Sequence, residues 1–258
     1  MFNFLKKKEI VVEEKIANQQ EDYCNIEPIA DYFHNETGIT FDTQMSILKS
    51  KVTSFCKKRD IYSFTVLLQN IKIDAHLLQE LIDYLTTNET YFYREFKQIQ
   101  ELVKIVKESQ SNVRILCAPS ATGEEVYSIA IALLEAGVSS SNFHILGIDI
   151  NSDAISKAKN AVYGERNLRN LTPQIISNYF NIDNEKYTLK QNIKSLVSFQ
   201  VTNIFDSSFK NIGKFDFIFS RNMLIYFDKE TKLKAKAILE SLRKSDQHDI
   251  FFGHADLF

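Results

Sequence analysis

Apolar positions along the chain change their period near residue 113. Before that point they recur at roughly helical spacing. Ile29, Tyr32 and Phe33 share a helix face, and Met45–Leu68 carries apolar residues at the same spacing. Leu77, Leu78, Leu81, Ile82 and Leu85 form a further amphipathic stripe. Residues 25–85 therefore read as an all-helical N-terminal domain, with residues 1–24 as a tail.

Beyond Val113, short apolar runs alternate with helical patterns. VRILCA (113–118), FHILGIDI (143–150), SLVSFQ (195–200), FDFIFS (215–220) and DIFFGH (249–254) read as strands. Helices are expected at Glu124–Glu135, Asp153–Ala161 and Lys229–Leu242, with Ser152 a candidate cap for the second. This alternation predicts an α/β domain over residues 86–258, built on a parallel sheet covered on both faces.

Composition narrows the class. Hydrophobic residues make up 44% and charged residues 25% of the 258, which excludes a wholly disordered or fibrous chain. No apolar run approaches the ~18 residues of a membrane span. In the opening MFNFLKKK the charges come last, which is not the order of a secretory signal; a solvated tail is expected, with weak contact of Phe2, Phe4, Leu5 and the lysines with an anionic membrane surface as the alternative. A net charge of −2 lacks the basic footprint of a nucleic-acid binder. Three scattered cysteines and five histidines without HExxH spacing suggest neither a disulfide framework nor a metal site. The expectation is a cytoplasmic protein and a monomer, with no stable membrane insertion and no nucleic-acid partner.

The first strand–turn–helix holds the candidate chemistry. Pro119–Gly123 forms a tight loop after the strand, and ligands of such sheets bind beyond the carboxyl ends of the strands. Glu124 and Glu125 place two negative charges in the first helical turn, which disfavours a phosphate and suits the ammonium and sulfonium of S-adenosylmethionine. Ordinary helix N-terminal charge is the plain alternative. Asp149 ends the second strand 26 positions after Gly123, near the ~20-residue offset of a ribose-binding acid. In TTNETYFYRE (86–95), small polar groups precede three aromatics, and Arg94 offers a planar fork for a carboxylate. A capped helix start with aromatic packing fits that segment equally well.

TTNETYFYRE, ATGEEVYSIAI (121–131), GIDI (147–150), FSRNMLIYFD (219–228) and GHADLF (253–258) occur in this order. Together they resemble the CheR family of chemoreceptor glutamate methyltransferases, from about Tyr32 to the last residue. The resemblance implies a Rossmann-like S-adenosylmethionine-dependent methyltransferase domain after the helical domain, with a small β-subdomain at about 163–194. It implies methyl transfer to glutamate side chains on the cytoplasmic domain of chemoreceptors, giving γ-glutamyl methyl esters.

By motif, Asn88, Thr90 and Arg94 are implied as ligand contacts, Glu125 ahead of Glu124 as facing the methionine part, and Asp149 as facing the ribose. Asn203-Ile204 is implied for adenine, Arg221-Asn222 follow the fourth strand, and Tyr226 lies beside the methyl group. Arg94 is assigned to the substrate carboxylate and Tyr226 to positioning near the methyl. Lys49, Lys51, Lys57, Lys58 and Arg59 match a basic helix that faces the receptor, with a solvated face as the alternative. The β-subdomain binds a receptor's C-terminal peptide in some members. Members usually continue past GHADLF with a helix and a strand hairpin, so the fifth strand is expected either to be a sheet edge or to need other cover. Two further readings stay open: a non-catalytic module that holds S-adenosylmethionine or S-adenosylhomocysteine, and a methyltransferase acting on another protein.

Overall fold

A computed structural model describes residues 21–109 and 112–256, so the lysine-rich start lies outside the described residues. The described residues divide into two compact units, 21–36 with 41–85, and 37–40 with 86–109 and 112–256.

The first unit holds helices α1 (Glu27–Thr37), α2 (Met45–Lys57), α3 (Phe64–Ile71) and α4 (Ala75–Leu85). Their apolar stripes meet in a core of Ile29, Phe33, Leu48, Val52, Phe55, Leu67, Ile71 and Leu81, each at most 1% exposed. The Met45–Leu68 stretch is two helices rather than one. Asp60 takes a left-handed φ of 54°, and the Ser63 hydroxyl accepts the Val66 N–H at 3.2 Å to start α3 afresh. Neither Gly nor Pro marks that break. Tyr23, expected in the tail, donates its hydroxyl to the Ile61 carbonyl at 2.7 Å. The basic residues of this region are engaged within the unit: Lys49 donates to the Cys24 carbonyl, Lys57 pairs with Glu21 and Arg59 with Glu80, and Lys58 lies over the Tyr84 ring.

The second unit is α/β. Strands β1 (Val113–Cys117), β2 (Phe143–Asp149), β6 (Val197–Val201), β7 (Phe217–Ser220) and β8 (Phe251–Phe252) form a parallel sheet in the order β6-β2-β1-β7-β8. Alternate residues bury on opposite faces: Ile115 and Cys117 join one apolar cluster, Leu116 and Ala118 the other. Both faces are covered, as the near-continuous apolar strands require. β6 and β8 are the edge strands. Helices α5 (Phe96–Ser109), α6 (Glu124–Glu135), α7 (Ser152–Asn160) and α9 (Lys229–Ser241) accompany the sheet. The cap of α7 is Asn151, whose Oδ1 accepts the Ala154 N–H at 2.7 Å, so the expected Ser152 cap is displaced by one residue.

Between β2 and β6 the chain builds a small antiparallel sheet, β3 (Val162–Gly164), β5 (Lys186–Leu189) and β4 (Phe180–Asp183), in that order. A short helix α8 (Pro173–Tyr179), capped by Thr172, precedes β4. Phe92 anchors this insertion: fully buried, it meets Tyr163 and Phe180 edge to face at 4.9 and 5.4 Å. No helix among the described residues is long and apolar enough to cross a membrane.

Candidate cofactor and substrate site

The turn after β1 is held by backbone bonds from the neighbouring strand end. Ser120 N–H donates to the Ile148 carbonyl at 2.7 Å, and Ala121 N–H to Asp149 Oδ2 at 2.8 Å. The other Asp149 oxygen accepts from Asn151 N–H at 2.9 Å, and its carbonyl accepts from Thr202 N–H at 2.8 Å. Asp149, 5% exposed, therefore fastens together the carboxyl ends of β1, β2 and β6. Gly123 opens α6 with φ at +93°, and a Cβ there would meet Ala158, Phe199 and Tyr127 at 3.0–3.2 Å. A left-handed entry and close packing both require glycine at this position.

The two adjacent glutamates diverge. Glu124 is fully buried and structural: its oxygens accept from Thr122 Oγ1 at 2.6 Å and Asn167 Nδ2 at 2.7 Å. Burial raises its carboxyl above the ordinary value, against those hydrogen bonds. Glu125 faces the sheet ends, where Arg221 Nε is bonded to its Oε2. Cys117 lies close by; burial first, and then the Glu125 charge, hold it as a thiol.

Arg221, expected among the ligand contacts, is 6% exposed and serves as a strut. Its Nη1 donates to the Arg94 carbonyl at 2.9 Å and the Glu95 carbonyl at 3.4 Å, so it fixes the 94–95 turn to the end of β7. Three further bonds seat that turn. Tyr93 N–H donates to Ser128 Oγ at 3.0 Å, Gln98 Nε2 to the Phe252 carbonyl at 2.7 Å, and Glu95 pairs with His254 at 2.9 Å. Tyr93, Glu95, Ala121 and Asn222 all take left-handed φ values of 46–59°, a cluster of unfavourable backbone at one place.

Asn88, Thr90 and Asn222 are half-buried, and Arg94 donates Nη1 to the Glu89 carbonyl at 2.9 Å. Tyr226 is 39% exposed, and its hydroxyl senses the charges of Arg94, Glu89, Asp256 and Asp149. Asn203 Oδ1 accepts the Phe205 N–H at 3.0 Å in the turn after β6, and Ile204 is buried in the core behind it. One residue the motifs left unassigned matters here. Asp256, 3% exposed, accepts the N–H groups of Asn222 and Gly253 and so holds the start of the Asn222–Tyr226 loop. Its signal in the sequence was only its place in GHADLF.

Two buried polar atoms at this turn test the fit of S-adenosylmethionine. Ser120 Oγ and Glu125 Oε1 meet no N–H or O–H partner among the described residues. An unmatched carboxylate oxygen suits an ammonium, and burial without a partner is otherwise costly. The residues present fit the group.

A parallel sheet with its polar cluster at the carboxyl ends, acids at the first helix and no phosphate-binding glycine run defines a Rossmann-like S-adenosylmethionine-dependent methyltransferase. The family description "CheR methyltransferase, SAM binding domain" matches residues 88–258. The chain belongs to the CheR methyltransferase family, and S-adenosylmethionine is its cofactor. A chemotaxis protein methyltransferase of Campylobacter jejuni is 38% identical over 86% of this chain and 84% of its own length. Counterparts from Borreliella burgdorferi and Vibrio cholerae are each 30% identical, covering 86% and 94% of this chain and 84% and 87% of their own.

Proposed function

We propose that the protein transfers a methyl group to glutamate side chains on the cytoplasmic domain of chemoreceptors, forming γ-glutamyl methyl esters. The observation that carries this reading is the CheR methyltransferase family match over residues 88–258, set beside Asp149 at the end of β2 and the buried Glu125 Oε1 at the first turn of α6. The cofactor supplies an electrophilic methyl carbon on a sulfonium. Glu125 takes its ammonium, Asp149 its ribose hydroxyls, and Asn203 with Ile204 the adenine; Asn88, Thr90 and Asn222 complete the polar lining.

A substrate glutamate has a reference pKa of ~4.3, so it is ionised near neutral pH and needs no general base. The task of the protein is alignment of carboxylate oxygen, methyl carbon and sulfur. Arg94 holds the carboxylate by one edge of its fork, with its other amino group already spent on the Glu89 carbonyl. Burial raises the Tyr226 hydroxyl above its ordinary 10.0, so it stays a donor beside the reacting oxygen. Arg221 acts by fixing the turn that carries Arg94.

Titration with S-adenosylhomocysteine, followed by methyl transfer to receptor-containing membranes, tests the reading. Wild type is expected to bind, to transfer, and to give a base-labile product. Asp149→Ala is expected to lose binding. Binding without transfer favours the non-catalytic module, and a base-stable product favours another acceptor chemistry.

A further inference from the structure

Beside Arg94 lie cations that the alignment of the methyl group does not use. Tyr91 is half-buried, and two guanidinium groups lie over its ring: Arg169 at 3.4 Å and Arg94 at 5.9 Å from the ring centre. The two groups are no further apart than the sum of those distances. Arg169 donates Nη1 to the Arg166 carbonyl at 3.0 Å, and both Arg166 and Arg169 are exposed. Arginine ion pairs among the described residues belong to Arg59, Arg221 and Arg243, so none occupies this ledge. The acids adjoining it in sequence are Glu89 and Glu165, both exposed.

The ledge is fastened to the site. Phe92 N–H donates to the Asn167 carbonyl at 2.9 Å, Asn167 Nδ2 to Glu124 at 2.7 Å, and Asn170 Nδ2 to the Tyr93 carbonyl at 3.5 Å. The 166–169 turn thus has a fixed place beside Arg94. Stacking on an aromatic face orients a guanidinium and leaves its N–H edge free for a carboxylate. On a helix, residues three or four apart present side chains ~5–6 Å apart. That upper bound on the separation of the two guanidinium groups admits the spacing of two carboxylates one turn apart on a helical substrate.

We propose that Arg169, supported by Arg166 and Tyr91, is a second carboxylate-holding position, which reads an acidic residue one helical turn from the glutamate that is methylated. The proposal rests on the glutamate-methylating reading above. It sets which glutamates of a substrate helix are accepted, and leaves the chemistry to Arg94 and Tyr226.

The test compares wild type with the Arg166→Ala/Arg169→Ala double variant and with Arg169→Lys. Substrates are a chemoreceptor cytoplasmic fragment and a version with the acids three and four positions from the methylated glutamate changed to glutamine. The double variant is expected to raise KM about three- to tenfold, as for loss of exposed charge pairs, with kcat and S-adenosylhomocysteine affinity unchanged. Arg169→Lys is expected to recover part of that loss. The glutamine substrate is expected to raise KM for wild type and to leave the double variant unaffected. An unchanged KM in the double variant, or losses that simply add, overturns the proposal while leaving methyl transfer intact. Wild type that binds S-adenosylhomocysteine yet methylates neither fragment overturns the functional reading, and this inference with it.

Discussion

Arg221 and Glu125 are paired out of water, with side chains only 3% and 9% exposed, where the end of β7 meets the first turn of α6. The pair couples the acid proposed for the cofactor's ammonium to the turn that carries Arg94. Removing one partner of a buried pair strands the other charge, at a cost of about 3–5 kcal/mol. Arg221→Met is expected to lower stability by that order and to abolish transfer, because both Glu125 and the 94–95 turn lose their partner. Glu125→Gln keeps the shape and is expected to weaken S-adenosylhomocysteine binding more than it lowers the melting temperature. Calorimetric titration beside thermal unfolding separates the two; equal affinity for wild type and Glu125→Gln contradicts the ammonium assignment.

Asp256 predicts a different pattern. Its carboxylate reaches one proposed ligand contact, Asn222, and does so through that residue's backbone N–H, while also accepting the Gly253 N–H. Asp256→Ala leaves two donors without this acceptor, worth about 1–3 kcal/mol each where buried. The expected signature is a fall in kcat larger than the fall in cofactor affinity, since Tyr226 ends the loop that Asp256 holds. Asp256→Asn, which keeps an acceptor oxygen, is expected to restore much of the rate. A loss confined to affinity speaks against the loop-holding role.

The parts of this architecture legible in the sequence were those set by periodicity. The α6 helix runs over Glu124–Glu135 as the pattern gives it, and all five strand runs form the parallel sheet. What escaped was local polar chemistry: the Ser63 cap splitting Met45–Leu68, and Asn151 capping α7 in place of Ser152. Ser, Asn and Asp serve caps, turns and sites alike, so spacing alone does not sort them. For the same reason the motif that named Arg221 gave no sign that its guanidinium also braces Glu125 and the 94–95 turn.

Glu124 gives a prediction with a definite sign. Burial raises its folded pKa above the unfolded value, so the folded state favours the protonated acid. Its contribution to stability is fully present below the unfolded pKa and is lost as pH rises through the folded one. Glu124→Gln does not titrate, and its oxygen still accepts from Asn167. The stability of this variant relative to wild type is therefore expected to improve as pH is raised from below 4.5, and to level off above the folded pKa. Melting temperatures of both proteins across that range check it; a variant that loses ground to wild type as pH rises contradicts it.

Tyr226 carries the prediction closest to the chemistry. Its hydroxyl is pushed above 10.0 by burial, and the nearby acids Glu89, Asp256 and Asp149 add to the effect against Arg94. It therefore remains protonated through the range in which the enzyme is assayed, while the substrate carboxylate is already ionised. The wild-type kcat is expected to be flat from about pH 7 to 9, with no titrating base in the profile. Tyr226→Phe removes a donor at the reacting oxygen and leaves the ring in place. The expected loss is about 10- to 100-fold in kcat, at or below that for an oxyanion-hole donor, with S-adenosylhomocysteine affinity held within about threefold. A wild-type break near neutral pH points to a titrating group the site does not otherwise need. A Phe variant with full kcat removes Tyr226 from the alignment of the methyl group.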